Sequence, residues 1–169
     1  SRREKLCRLR VFAPGELRRD LLVQRLQRLS NLSPEEVEQL FSLDPEGTVA
    51  GFACPPTPEE VQRRWGPVER DRCDHEPRQL LYVFDPEVCH LTFSFAQGML
   101  QGVEVSHGFG MDSPTVPHPV ARLFHCRGVR LGDPVSKLLA RLGPPASRLG
   151  AMIDYIYDNG RKAQFKAPN

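Results

Sequence analysis

Apolar residues return every three to five positions in the first part of the chain. Leu17, Leu21, Leu22, Leu26 and Leu29 trace one helical stripe. The next segment, Ser33-Pro34-Glu35-Glu36, is a helix start. Ser33 caps, Pro34 takes the first turn where its missing N–H costs nothing, and Glu36 closes a capping box. Val37, Leu40, Phe41 and Leu43 form the apolar face that follows. The pattern predicts a helical hairpin from about Glu16 to Leu43, ended by the breaker Asp44-Pro45-Glu46-Gly47. Upstream, Leu6 to Phe12 fits a strand or a helix. Another start, Thr57-Pro58-Glu59-Glu60, opens a short helix with Val61 and Trp65 on one face. Gly66-Pro67 stops it, because glycine tolerates the left-handed exit and proline cannot continue the ladder.

The period then changes from helical to alternating. Leu80 to Phe84 and Cys89 to Phe95 read as strands, with Leu91, Phe93 and Phe95 alternating against Thr92 and Ser94, and Asp85-Pro86 as the turn between them. Met99 to Val105 follows Gln97-Gly98 as a third strand. Residues 107–119 are rich in Gly and Pro and read as a linker. Beyond it, Asp133-Pro134 caps a helix carrying Val135, Leu138, Leu139 and Leu142, and Gly143-Pro144 stops it. Met152 to Tyr157 alternates as a strand, Asp158-Asn159-Gly160 supplies a tight turn, and Lys162 to Lys166 is the partner strand.

Two stretches thus follow one plan. The helix from Thr57 to Pro67 matches the helix from Asp133 to Pro144, and Tyr82-Val83-Phe84-Asp85 matches Tyr155-Ile156-Tyr157-Asp158. The prediction is an α+β fold: an N-terminal helical module over 1–46, a first αβ repeat over 47–107, a linker over 108–120 and a second αβ repeat over 121–169. Each repeat is a short helix packed on a small antiparallel sheet. The run from Gly128 to Leu139 (Gly-Val-Arg-Leu-Gly-Asp-Pro-Val-Ser-Lys-Leu-Leu) and the run from Leu91 to Gly102 carry a family likeness. They resemble the tandem-repeat fold of the β-lactamase inhibitor protein and of BamE-like outer-membrane assembly lipoproteins, over roughly residues 47–166. The resemblance implies fold far more than function. The chain departs from it in three ways. A helical module stands in front, the cysteines are not spaced two per repeat, and the second copy lacks a closing Gly-x-Leu strand. The last departure suggests a fragment, or a sheet completed by another chain.

Composition narrows the classes. With 40% hydrophobic residues and a net charge of +2, wholesale disorder is excluded. No apolar run approaches the ~18 residues of a membrane span. Five cysteines make an odd number for a disulfide framework, and together with the lack of an apolar leader they favour a reducing, cytoplasmic setting. The lookalike families are exported, so the two indications point different ways. Residues 1–28 hold nine bases against three acids and residues 29–47 five acids and no base, so the two helices are expected to neutralise each other.

Chemistry at a site is harder to find. Cys73, His75, Cys89, His90, His125 and Cys126 include none of the tight Cys pairs that hold zinc, and Cys89 and His90, adjacent on a strand, point to opposite faces. Cys54 lies near the helix start at Thr57, where the dipole lowers a thiol pKa, but no base or orienting group accompanies it in sequence. Cys54 and Cys73 flank one helix, and whether they pair is open at this level. Gly108-Phe109-Gly110 lacks the third glycine and the helix start of a phosphate loop. No catalytic residue, metal or cofactor is expected.

Aromatics carry the remaining signal. A small antiparallel sheet commonly packs a helix on one face and leaves the other wet. Tyr82, Phe84, Phe93, Phe95, Tyr155 and Tyr157 exceed what one face hides if they alternate outward, and protein interfaces concentrate such residues. The expected function is a non-catalytic protein–protein interaction module that docks a partner protein on its sheet surface. Its contacts would be Tyr82, Phe84, Tyr155 and Tyr157, with Trp65 in the core and the N-terminal helices available for self-association. The alternative is a nucleic-acid-associated regulatory protein that uses Arg2, Arg3, Arg18, Arg19 and Arg25 of its basic start. An enzyme ranks third.

Overall fold

The computed structural model describes residues 24–25, 27–85, 89–107 and 119–167. The expectations for Leu6 to Phe12, for the leucine stripe before residue 24, for Pro86 and for most of the linker lie outside these residues. Residues 27–30 are helical. They are followed by α1 (Pro34–Leu40), α2 (Pro58–Trp65), β1 (Arg70–Arg72), β2 (Arg78–Asp85), β3 (Cys89–Ala96) and β4 (Met99–His107). A 3₁₀ turn (Ala121–Leu123) leads to β5 (His125–Cys126), β6 (Val129–Arg130), α3 (Val135–Leu142), β7 (Ser147–Leu149), β8 (Met152–Ile156) and β9 (Lys162–Lys166). The fold is α+β. Its antiparallel sheets have the orders β1-β2-β3-β4, β5-β6 and β7-β8-β9.

Both capping boxes form as the local sequence demands. The N–H groups of Glu36 and Glu60 donate to Ser33 Oγ and Thr57 Oγ1 at 3.1 and 3.2 Å, and the two glutamates accept from the cap N–H groups in return. The start of α3 differs from expectation. Pro134 occupies the cap position and offers no side-chain acceptor. Asp133 lies one residue too early to cap. It instead accepts from the Arg130 N–H at 2.8 Å and pairs with Lys137 at 2.8 Å, which fixes the turn out of β6.

The larger core is built around Trp65. The rings of Phe41, Tyr82, Phe84, Phe93 and Phe124 surround it with centroids 5.6 to 6.3 Å away. Its indole N–H donates to the Ala50 carbonyl at 3.0 Å. Leu91, Phe93 and Phe95 face this core from β3, as the alternation predicts. A smaller core gathers Val129, Leu138, Ile153 and Tyr155 between α3 and its sheet. Ala121 and Phe124, which the sequence groups with 121–169, pack in the larger core. The next residue ties the halves together: Leu43 N–H donates to His125 O at 2.8 Å, and His125 N–H to Phe41 O at 3.1 Å.

The two helices on their sheets end alike. Gly66 follows α2 with φ 86° and ψ −166°, and Gly143 follows α3 with φ 77° and ψ −162°. Such angles are almost confined to glycine. In each case a tyrosine hydroxyl from the sheet donates to that glycine's carbonyl: Tyr82 to Gly66 at 3.0 Å, Tyr155 to Gly143 at 2.8 Å.

Most of the basic segment expected to pair with the acidic helix lies outside the described residues. Among the described residues, three acids of 29–47 meet the second half of the chain. Glu38 meets His125 Nε2 at 3.1 Å and Arg130 at 3.6 Å, while Asp44 and Glu46 hold Arg127.

Candidate functional site

Strand parity decides the fate of the aromatic residues. Leu80, Tyr82 and Phe84 share the face of β2 that lies under α2, so Tyr82 and Phe84 are 0% and 2% exposed. Tyr155 is likewise turned into the smaller core at 6% exposure. Tyr82 and Phe84 alternate inward and are covered on that side, so they are not open as the docking face expected of them, and Tyr155 is nearly covered except where it lines a cleft. Trp65 is in the core, where it was expected. Of the four named contacts only Tyr157 is half-buried rather than buried.

Tyr155 and Tyr157 still meet at one surface feature. A cleft of about 360 Å³ runs along Leu142, Pro144 and Pro145 and along Tyr155, Ile156 and Tyr157, with Glu46 and Arg127 also lining it. Ile156 stands at its rim, 65% exposed. Arg127 is the residue that sequence inspection misses. It occupies the first position of a two-residue hairpin turn between β5 and β6, with φ 51° followed by φ 82° at Gly128. An X-Gly pair at this spacing is the signal that was available. The turn lays the Arg127 guanidinium 5.0 Å from the Tyr157 ring centre, and Glu46 (2.9 Å) and Asp44 (3.3 Å) hold it there. The loop bearing those acids is tied to the second unit as well, since Asn159 and Arg161 both donate to the Pro45 carbonyl, at 2.9 and 3.2 Å. The polar side of the cleft is therefore preorganised.

The hydroxyls near this cleft are held neutral. Burial pushes the Tyr157 hydroxyl up to about 12, helped by the Cys126 thiol beside it, and burial also raises Cys126. Burial raises Tyr155 and drives Tyr82 far above the ordinary tyrosine range near 10. These are all three tyrosines of the chain. A folded pKa above the unfolded one means that stability is complete below the unfolded value and falls as pH rises toward the folded value. Stability should thus decline from about pH 10 upward, by up to ~1.4 kcal/mol per pH unit for a fully buried tyrosine such as Tyr82. An absorbance titration should show no tyrosinate step near pH 10 before unfolding. An ordinary step there, with the fold intact, would contradict the burial described.

Arg25 does not present itself to nucleic acid. Its side chain is buried, doubly bonded to Glu69 and lying over Tyr82 and Phe84. Arg2, Arg3, Arg18 and Arg19 lie outside the described residues. Cys54 and Cys73 are separate, exposed thiols. Among the described residues, no group of three or more His, Cys, Asp or Glu side chains is placed to hold a metal ion, and no helix is long and apolar enough to cross a membrane. No protein-family model, curated protein or solved structure matches this chain.

Proposed function

We propose that the chain is a non-catalytic protein-interaction module built from two related αβ units, and that a partner protein docks in the cleft between Pro144-Pro145 and Tyr155–Tyr157. The observation that carries this reading is the exposed Ile156 beside half-buried Tyr157 and two prolines, next to an arginine already fixed by two carboxylates. Apolar rims around an aromatic anchor are what partners bury, and a prefixed Arg127 loses little freedom on binding. The partner inserts an apolar side chain against Ile156 and Tyr157. Relatedness of the units is supported by the matched Gly66–Tyr82 and Gly143–Tyr155 ties, at the positions that sequence matching pairs. On that reading the repeats span 47–107 and 121–169, with the segment around Phe124 returning to the first core. The nucleic-acid alternative loses Arg25 and gains no observation of its own.

A photo-crosslinking amino acid at position 156, compared with one at Leu149, tests the site. Leu149 is 83% exposed and lies outside the cleft. Position 156 should capture a protein that position 149 does not, and Ile156→Asp should abolish co-purification of that protein without shifting Tm, because the side chain already lies in solvent. Equal capture at both positions, or binding that survives the aspartate, overturns the cleft.

A further inference from the structure

We infer that the outer edge of β9 (Lys162–Lys166) is a strand-addition site for an extended segment of a partner protein in which apolar and acidic residues alternate. The two sheets supply the comparison. In the first, β3 is paired on both sides, and Val103 and Leu100 of β4 sit opposite Phe93 and Phe95, which are fully buried. In the second, β9 pairs with β8 alone among the described residues, and its Ala163 and Phe165 remain half-buried.

Backbone parity shows what the edge offers. Arg161 O accepts from Tyr157 N–H at 2.9 Å and Ala167 N–H donates to Ala151 O at 2.8 Å, so the odd-numbered residues turn their polar backbone toward β8. The N–H and C=O groups of Lys162, Gln164 and Lys166 therefore point away from the sheet, a three-residue ladder open to another strand. The side chains set its chemistry. Ala163 and Phe165, the latter edge-on to Tyr155 at 6.0 Å, offer apolar surface on the α3 side, while Lys162, Gln164 and Lys166 are exposed on the other. A second copy of β9 is a poor occupant, since antiparallel pairing about Gln164 sets Lys162 against Lys166 twice, and like charges directly opposite are destabilising. The lysines that repel a copy attract a strand with acids on the same face. No residue of β9 lines the cleft of the preceding section, so either site can fail without the other.

The test uses three synthetic peptides: alternating valine and glutamate, alternating valine and lysine, and a scrambled valine–glutamate sequence. The alternating acidic peptide should bind, weaken as salt rises, and slow amide exchange at Lys162, Gln164 and Lys166. The other two peptides should not. Gln164→Pro should leave the fold intact, because that N–H is not used within the sheet and proline is tolerated on an edge, yet weaken the acidic peptide about tenfold or more. Lys162→Glu with Lys166→Glu should switch the preference to the lysine peptide. Equal binding of acidic and basic peptides, protection elsewhere, or edge amides already protected in the free protein by its own chain or by a copy, each overturns the inference.

Discussion

Glu69→Ala is expected to lower stability by about 3–5 kcal/mol, the range for removing one partner of a buried ion pair. The side chains of Arg25 and Glu69 are 3% and 1% exposed, and two parallel bonds of 2.6 and 3.0 Å join them. Arg25 also donates to the carbonyls of Val83 and Pro67 at 3.1 and 2.8 Å, and Glu69 accepts from the Val83 N–H at 3.0 Å. The guanidinium carbon lies 4.8 Å from the Tyr82 ring centre and 5.4 Å from that of Phe84. Alanine at 69 would strand this cation in a dry site with two carbonyls and two ring faces, and would also orphan the Val83 N–H. Arg25→Lys should cost nearly as much, because an ammonium cannot reproduce the fork. Replacing both residues with leucine should recover much of the loss, since no buried charge then remains. Denaturant unfolding of the wild type, the two single variants and the double variant measures the coupling directly. A loss below about 1 kcal/mol for Glu69→Ala would place the pair in water, in the range typical of surface salt bridges.

What the sequence made legible was local. The capping boxes at Ser33 and Thr57, the glycine stops at Gly66 and Gly143, and the alternation of Leu91, Phe93 and Phe95 each depend on neighbours a few residues away, and each stands in the structure. Arg25 was grouped with the basic start as a nucleic-acid contact because its partner is 44 residues distant, although Leu21 and Leu29, four residues to either side, place it on the apolar stripe. The aromatic residues were counted correctly and turned the wrong way. A count of rings does not say which parity of a strand faces the helix, and Leu80 and Leu91 decided that for Tyr82. The edge strands β1 and β7 were not predicted, since Arg70-Asp71-Arg72 and Ser147-Arg148-Leu149 carry largely exposed side chains and so show no buried alternation. At the cleft, Tyr155 and Tyr157 were legible by repeat matching. Ile156 was not, since its role comes from being the residue between them that points outward. The acidic block was visible, but its partners Arg127 and Arg130 lie too far along the chain to be assigned by proximity.

Trp65→Ala is the second large effect expected, at about 3–5 kcal/mol. The indole is the hub of five aromatic contacts, so its removal leaves a cavity that no single neighbour can fill. It also removes the hydrogen bond to the carbonyl of Ala50, a fully buried residue held at φ 52°. Trp65→Phe should recover part of the packing and none of that bond, and so should fall between wild type and alanine. The contact with Phe124 gives the prediction a longer reach. The two rings are nearly parallel, at 10° and 6.3 Å, and Phe124 immediately precedes His125, whose backbone joins the two halves. The effects of Trp65→Ala and Phe124→Ala should therefore be strongly non-additive, and the alanine at 65 should loosen amide protection at His125 as well as in β2 and β3. Trp65 is the only tryptophan, so far-UV circular dichroism in denaturant is the suitable readout. Additive losses, with His125 protection unchanged, would mean that the 121–126 segment is held by its backbone bonds alone and that the aromatic cluster does not join the two halves.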